Sequence, residues 1–395
     1  MAAGIYLHIP FCRSRCSYCD FATDVWRDNG AVERYVKALS EEIARGGDPR
    51  GREGAERGIS SASCPPPTGC ISAIGADTIY FGGGTPSLLS PKQVEKILDA
   101  VHSRFEITAD AEVTMEMNPA TVTLESLAAY RTIGVNRASF GIQTFDDQAL
   151  KLLARGHDAN DARQTFRMLR EAGFDNISFD LIAGLPGQTL DAWKRNLDEA
   201  VAMRTEHLSL YLLEIHPGTP LAEQVRSGRQ PNPDPELAAE MYEMMLDRLA
   251  EAGYGQYEIS NYSLPGYESR HNSKYWTLDA VFGFGVSAHS FDGRQRFANE
   301  RDTAKYVEFI ETGGSAEVMR DDIDLSSEYI FLGLRMEEGI DLNTFSGRFE
   351  FDVIERYGRE MERLSEAGLI EIDGGRLRLS RRGKLFSNEV FAVFV

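Results

Sequence analysis

His8-Ile9-Pro10-Phe11-Cys12-Arg13-Ser14-Arg15-Cys16-Ser17-Tyr18-Cys19-Asp20-Phe21 sets three cysteines in the spacing C-x3-C-x2-C. The run follows directly on a strand-like segment, residues 5–9. Thiolates are the soft ligands that iron–sulfur clusters use. Three of them on one short loop can hold three irons of a cubane and leave the fourth open to a substrate or cofactor. The alternative is a structural zinc site with His8 as fourth ligand. Against it, His8 belongs to the strand, and no C-x2-C…C-x2-C pairing is present.

Working outward, strand-like runs at 5–9, 78–81, 112–116, 137–141, 177–181 and 208–212 alternate with helix-like stretches at 32–44, 91–104, 124–133, 159–171 and 190–203. Six such units predict an α/β fold, a parallel sheet with helices outside, curved into a partial (β/α)6 barrel. Chemistry in such sheets gathers at the C-terminal ends of the strands. The cysteines stand at the first of these ends. Gly82-Gly83-Gly84-Thr85-Pro86 stands at the second, where glycines let backbone approach a ligand closely. Glu116 ends the third run, Gln143 follows the fourth, Arg155 lies in the next connection and Asp180 closes the fifth run. Each alone suits a solvated or ion-paired role; their recurrence at strand ends predicts one shared pocket.

The barrel is expected over residues 1–230, interrupted at 46–75 by a Gly-, Pro-, Ser- and charge-rich stretch without periodicity, read as a flexible surface insertion. Cys64 and Cys70 fall in it, either as a redox pair or further cluster ligands, or as incidental thiols. Residues 231–324 read as a connecting region, with a helix at 235–252 and an aromatic, Gly-dense stretch at 254–297. Residues 325–395 read as a separate winged-helix-like domain, with helices at 326–336, 342–349 and 353–367. A hairpin at 369–373 and 376–379 turns on Gly374-Gly375.

In 395 residues, 61 Asp and Glu outweigh 42 Lys and Arg, for a formal net charge of -19. That excess argues against sequence-blind nucleic-acid binding and favours a partner role for the winged module. No apolar run approaches the ~18 residues of a membrane span, and no signal peptide is visible. Five cysteines, three of them within eight positions, suit a reducing, cytoplasmic setting.

The cysteine spacing after the first strand of a partial barrel resembles the radical S-adenosylmethionine superfamily. The chain is similar throughout to its HemN-like branch, which includes oxygen-independent coproporphyrinogen III oxidases and HemW-type heme chaperones. The resemblance implies a [4Fe–4S] cluster on Cys12, Cys16 and Cys19, with S-adenosylmethionine chelating the open iron and receiving the electron that cleaves its sulfonium C–S bond. It implies cofactor contacts from Tyr6, Tyr18, Gly83, Gly84, Thr85, Glu116, Gln143, Arg155 and Asp180.

The oxidases continue the motif as C-x3-C-x2-C-x-C and carry an N-terminal extension. Here position 21 is Phe21 and almost nothing precedes the first strand. His271-Asn272-Ser273-Lys274-Tyr275-Trp276 matches the H-N-x-x-Y-W of the chaperone members. Within that resemblance His271 is either an axial heme ligand or a structural residue, and His289 is its rival. Heme and heme-accepting respiratory apo-proteins are the implied partners, and a homodimer is compatible. A porphyrinogen-decarboxylating oxidase is the alternative activity.

Overall fold

The computed structural model describes residues 2–26, 28–45 and 74–394. Cys64, Cys70 and nearly all of the 46–75 stretch lie outside the described residues. Six parallel strands neighbour one another in chain order: β1 (Ala3–Ile9), β2 (Ile74–Gly83), β3 (Phe105–Met117), β4 (Arg137–Gln143), β5 (Ile177–Ala183) and β6 (His207–Leu212). Between them run α1 (Asn29–Arg45), α2 (Pro91–Arg104), α3 (Leu124–Thr132), α4 (Ala159–Glu171) and α5 (Leu190–Met203). α2 shows why the segments fold locally. Ser90 and Gln93 form a capping box, Pro91 opens the helix, and Val94, Ile97, Leu98 and Val101 recur at i, i+3, i+4, i+7 as its buried face. The strands alternate instead. Ile5, Leu7 and Ile9 of β1, and Val113, Met115 and Met117 of β3, pack in the main core. Tyr6, His8, Thr114 and Glu116 therefore face the opposite, concave side.

Residues 231–324 do more than connect. After α6 (Pro235–Glu251), β7 (Gly255–Glu258) and β8 (Asn261–Ser263) extend the sheet antiparallel beyond β6. Helix α7 (Arg270–Trp276) follows. β9 (Val281–Phe284) then pairs parallel with β1, and β10 (His289–Phe291), β11 (Gln295–Asn299) and β12 (Glu317–Asp322) continue antiparallel to a twelve-stranded sheet. Both outer strands of the parallel block thus have further neighbours, and the barrel stays open.

The C-terminal module has its own core, including Ile330, Phe345, Met361, Leu377 and Phe394. Helices α8 (Leu325–Gly333), α9 (Leu342–Phe349) and α10 (Val353–Glu366) pack with a three-stranded sheet of β13 (Ile340–Asp341), β14 (Ile370–Asp373) and β15 (Arg376–Leu379). Gly374 and Gly375 both take positive φ, 57° and 79°, as a tight hairpin requires. Among the described residues no helix is long and apolar enough to cross a membrane.

Candidate functional site

The cysteine loop is pinned at both ends. Phe11–Cys12 pairs in parallel with Asp24–Val25, and Asp24 N donates to the Pro10 carbonyl at 2.8 Å and Trp26 N to the Cys12 carbonyl at 2.8 Å. Midway, Ser17 donates from N and Oγ to the carbonyls of Leu153 and Leu152. His8 holds the far side: its Nε2 lies 2.9 Å from the Ala22 carbonyl, and its Nδ1 is 3.1 Å from the Tyr6 hydroxyl. Nε2 must carry the proton to donate to a carbonyl, so Nδ1 accepts from Tyr6. Both nitrogens are taken, which removes His8 as fourth donor of a zinc set. Among the described residues no three His, Cys, Asp or Glu side chains converge on a single ion position. A cubane asks for something else, one thiolate on each of three different irons.

Two donors reach the thiols from neighbouring strand ends. The Thr85 hydroxyl lies 3.5 Å from Cys12 Sγ, and Arg155 Nη1 lies 3.4 Å from both Cys16 Sγ and the Tyr18 hydroxyl. Arg155 Nη2 donates to the Gly141 carbonyl at 2.6 Å, while its buried Nε has no partner. Burial raises the pKa of the Cys12 thiol, and the Thr85 hydrogen bond partly offsets that.

The glycine motif is closely packed. The space its side chains would fill belongs to the protein. A Cβ on Gly82 would meet the Tyr6 and Tyr80 rings at 2.9 Å, one on Gly83 the His8 ring at 2.7 Å, and one on Gly84 the Pro10 carbonyl at 2.7 Å. Gly82 and Gly83 thus admit the Tyr6, Tyr80 and His8 rings, Gly84 admits the Pro10–Phe11 backbone that leads into the cysteine loop, and Gly83 also needs its φ of +110°. The Gly83 N–H is already bound, donating to Glu116 Oε2 at 3.0 Å, while Tyr80 donates to Glu116 Oε1 at 2.9 Å.

Behind the mouth lie two half-buried acids. Burial first, and Asp180 beside it, lift the Glu116 carboxyl to about 7. Burial lifts Asp180 to about 6, against the opposing pull of Ser209, Arg137 and Arg155. Such a pair favours a cation over an anion, because an arriving positive charge lets both ionise. Gln143 sits in left-handed backbone, φ +71°, at a register shift between Gly141 and its own position. The bulge re-aims its side chain at the end of β4.

The chain matches the Radical SAM superfamily over residues 71–200 and the HemN C-terminal domain over residues 321–386. The "Heme chaperone HemW" of Bacillus subtilis (strain 168) is 34% identical, covering 99% of this chain and 98% of its own. The HemW family is the one this chain belongs to. The mitochondrial "Radical S-adenosyl methionine domain-containing protein 1" of Bos taurus is 36% identical, covering 96% of this chain and 84% of its own. Among solved structures, Escherichia coli coproporphyrinogen III oxidase (HemN), titled a radical SAM enzyme, superimposes with a TM-score of 0.82 at 22% identity. That match covers 100% of this chain and 90% of the other, and it shows the shared fold. The superfamily implies a [4Fe–4S] cluster and S-adenosylmethionine. Three thiols, two hydrogen-bond donors aimed at them, an unpartnered Arg155 Nε and a cation-favouring pair of acids fit both groups.

In this HemW-family chain the H-N-x-x-Y-W segment is α7, and it packs at the opposite end of the strands from the cysteines. His271 is 1% exposed. Its Nδ1 is 2.9 Å from the Thr78 hydroxyl and its Nε2 3.2 Å from the Tyr275 hydroxyl, and its ring stacks on Tyr80 at 5.1 Å. Its backbone N–H donates to Glu112, and Lys274 reaches both the Ala2 carbonyl and Asp77 at 2.8 Å. Burial, with Lys274 and Arg137 nearby, drops the His271 pKa to about 3. Neither ring nitrogen of His271 is free, which suits the structural one of the two roles that the sequence offered. His289 is exposed. Sequence reasoning also missed two residues at the mouth. Asn118 bridges Thr85 and Arg155; its one signal was its position two residues past Glu116. His216, half-buried in the connection after β6, stands 3.6 Å from Asp20 of the cysteine loop.

Proposed function

We propose that this chain is a heme chaperone that binds heme and passes it to respiratory apo-proteins in the cytoplasm. It carries a [4Fe–4S] cluster on Cys12, Cys16 and Cys19, with S-adenosylmethionine at the open iron. The observation behind the reading is kinship at 34% identity across 99% of the chain with a protein named as a heme chaperone. Phe21 supports it: an exposed phenyl ring, 63% accessible, stands where the oxidases have a further cysteine. When bound, the cluster and S-adenosylmethionine supply one-electron cleavage of a sulfonium. The protein's part is to bind and orient. Thr85 and Arg155 donate to the sulfurs, Tyr6 and Tyr18 would flank the cluster, and Gly83 and Gly84 bring the end of β2 against the cysteine-bearing segment. Glu116, Gln143 and Asp180 would hold the cationic end of the cofactor. An imidazole would hold the heme iron, either His271 or its exposed rival His289.

The test is anaerobic reconstitution followed by heme titration and transfer to an apo-acceptor. Heme binding, intact hemylation and no protoporphyrinogen IX from coproporphyrinogen III are expected. Robust protoporphyrinogen IX formation, or no heme bound by a fully loaded chain, overturns the reading. Porphyrinogen oxidation is the second reading, and the shared fold is what favours it.

A further inference from the structure

Asn118 closes a hydrogen-bonded bridge between the two groups that touch the thiols. Its Nδ2 lies 2.7 Å from Thr85 Oγ1 and its Oδ1 lies 2.7 Å from Arg155 Nη2. Chemistry alone fixes which way round the amide sits. A guanidinium can only donate, so the atom facing Arg155 is the oxygen and the atom facing Thr85 is the nitrogen. That orientation decides the Thr85 hydroxyl in turn. Its oxygen accepts from Asn118, and its single hydrogen is left to point at Cys12 Sγ, 3.5 Å away. On the other arm, Asn118 and the Gly141 carbonyl together grip Nη2 and turn Nη1 onto Cys16 Sγ at 3.4 Å. The side chain is itself aimed by a turn: the Asn118 carbonyl accepts from Thr121 N at 3.2 Å and Thr121 Oγ1 at 2.6 Å.

We infer that Asn118 is a positioning residue that directs one hydrogen bond onto each of two cluster sulfurs, Cys12 and Cys16, and so sets the reduction potential of the centre. The inference rests on the cluster reading above. Donors to a cluster's sulfurs stabilise its reduced, more negative state and raise its potential. An acceptor-only group at position 118 would do the reverse. A carboxylate there cannot donate to Thr85, so the hydroxyl swings from Cys12 to the carboxylate. It would also hold Arg155 as an ion pair, drawing positive charge from Cys16.

The experiment is spectroelectrochemistry of the anaerobically reconstituted full chain, wild type against Asn118→Asp and Asn118→Leu. Asn118→Asp, close to isosteric, should shift the reduction equilibrium at least tenfold toward the oxidised form, about 59 mV for one electron. Asn118→Leu removes both orienting bonds without adding charge and should shift it in the same direction by less. In a Thr85→Val background Asn118→Leu should shift it less again, since one arm is already gone. Unchanged potentials in both loaded variants, equal effects with and without Thr85, or iron lost from both variants while the wild type loads, would each overturn the role of Asn118. A wild-type chain that holds no iron would instead bring down the cluster reading beneath it.

Discussion

The two ends of the strands carry the two densest motifs of the chain, and they are built in opposite ways. At the mouth, three half-buried thiols, an unpartnered Arg155 Nε and two carboxyls lifted by burial are chemically unfinished. At the floor, His271 has both nitrogens occupied and Lys274 is neutralised by Asp77. Density of notable residues is thus a poor guide to where a ligand goes. Spare bonding capacity is the better one.

The contrast can be broken from either side. The largest effect is expected at the mouth. Replacing Cys12, Cys16 or Cys19 by Ala should abolish a reconstituted centre of about four irons per chain. Thermal unfolding of the iron-free chain should move little, because the loop is held by backbone bonds. Iron retained by any of the three variants in an iron assay would break the comparison. At the floor, His271→Ala should cost about 2–4 kcal/mol of folding stability, from a cavity beneath Tyr80 and a stranded Thr78 hydroxyl. Denaturant titration reads that cost, and iron content should be unaffected. If the variant instead folds as well as wild type and loses heme, the floor is a ligand site after all. Also at the mouth, Gly83→Ala should cost about 1–3 kcal/mol, since a Cβ would meet His8 in a backbone state that L-residues avoid. It should also blunt the response of the reduced cluster's paramagnetic spectrum to S-adenosylmethionine.

A smaller effect sharpens the picture of the mouth. The Glu116 carboxyl, at about 7 when folded, lies above its ordinary value near 4.5. Over that window the folded chain holds a proton that the unfolded chain has lost. Stability of the cofactor-free protein should therefore fall as pH rises from about 4.5 to about 7 and level off above it, by on the order of 3 kcal/mol. Glu116→Gln should flatten that slope; an unchanged slope in the variant would assign it to other groups.

Most of the parallel sheet was legible in sequence. The bounds of α2, α4 and α5 coincide with the expected ones because Ser90, Asp158 and Thr189 cap them and the apolar stripe keeps helical period between caps. The start of β3 was not. Its first half is largely exposed, so no apolar alternation marks it, and a register shift at Ala76/Thr78 breaks the pattern in its partner. The flanking strands β7 to β11 are three to five residues long, shorter than any window in which period can be read. The cysteines announced themselves by spacing. Asn118 did not, because Asn-Pro reads as a turn whatever its side chain touches. The placement of His271 was hidden for a related reason: a local motif cannot say which end of a barrel its helix will cap.

The pairing of Phe11–Cys12 with Asp24–Val25 has a further consequence for the protein's life in air. Because backbone bonds close the cysteine loop, the metal need not contribute the folding energy that it supplies in small zinc domains. Loading and folding are separable events. A chain that lost such a cluster would keep the shape of its loop, and reloading would need iron and sulfide but no refolding.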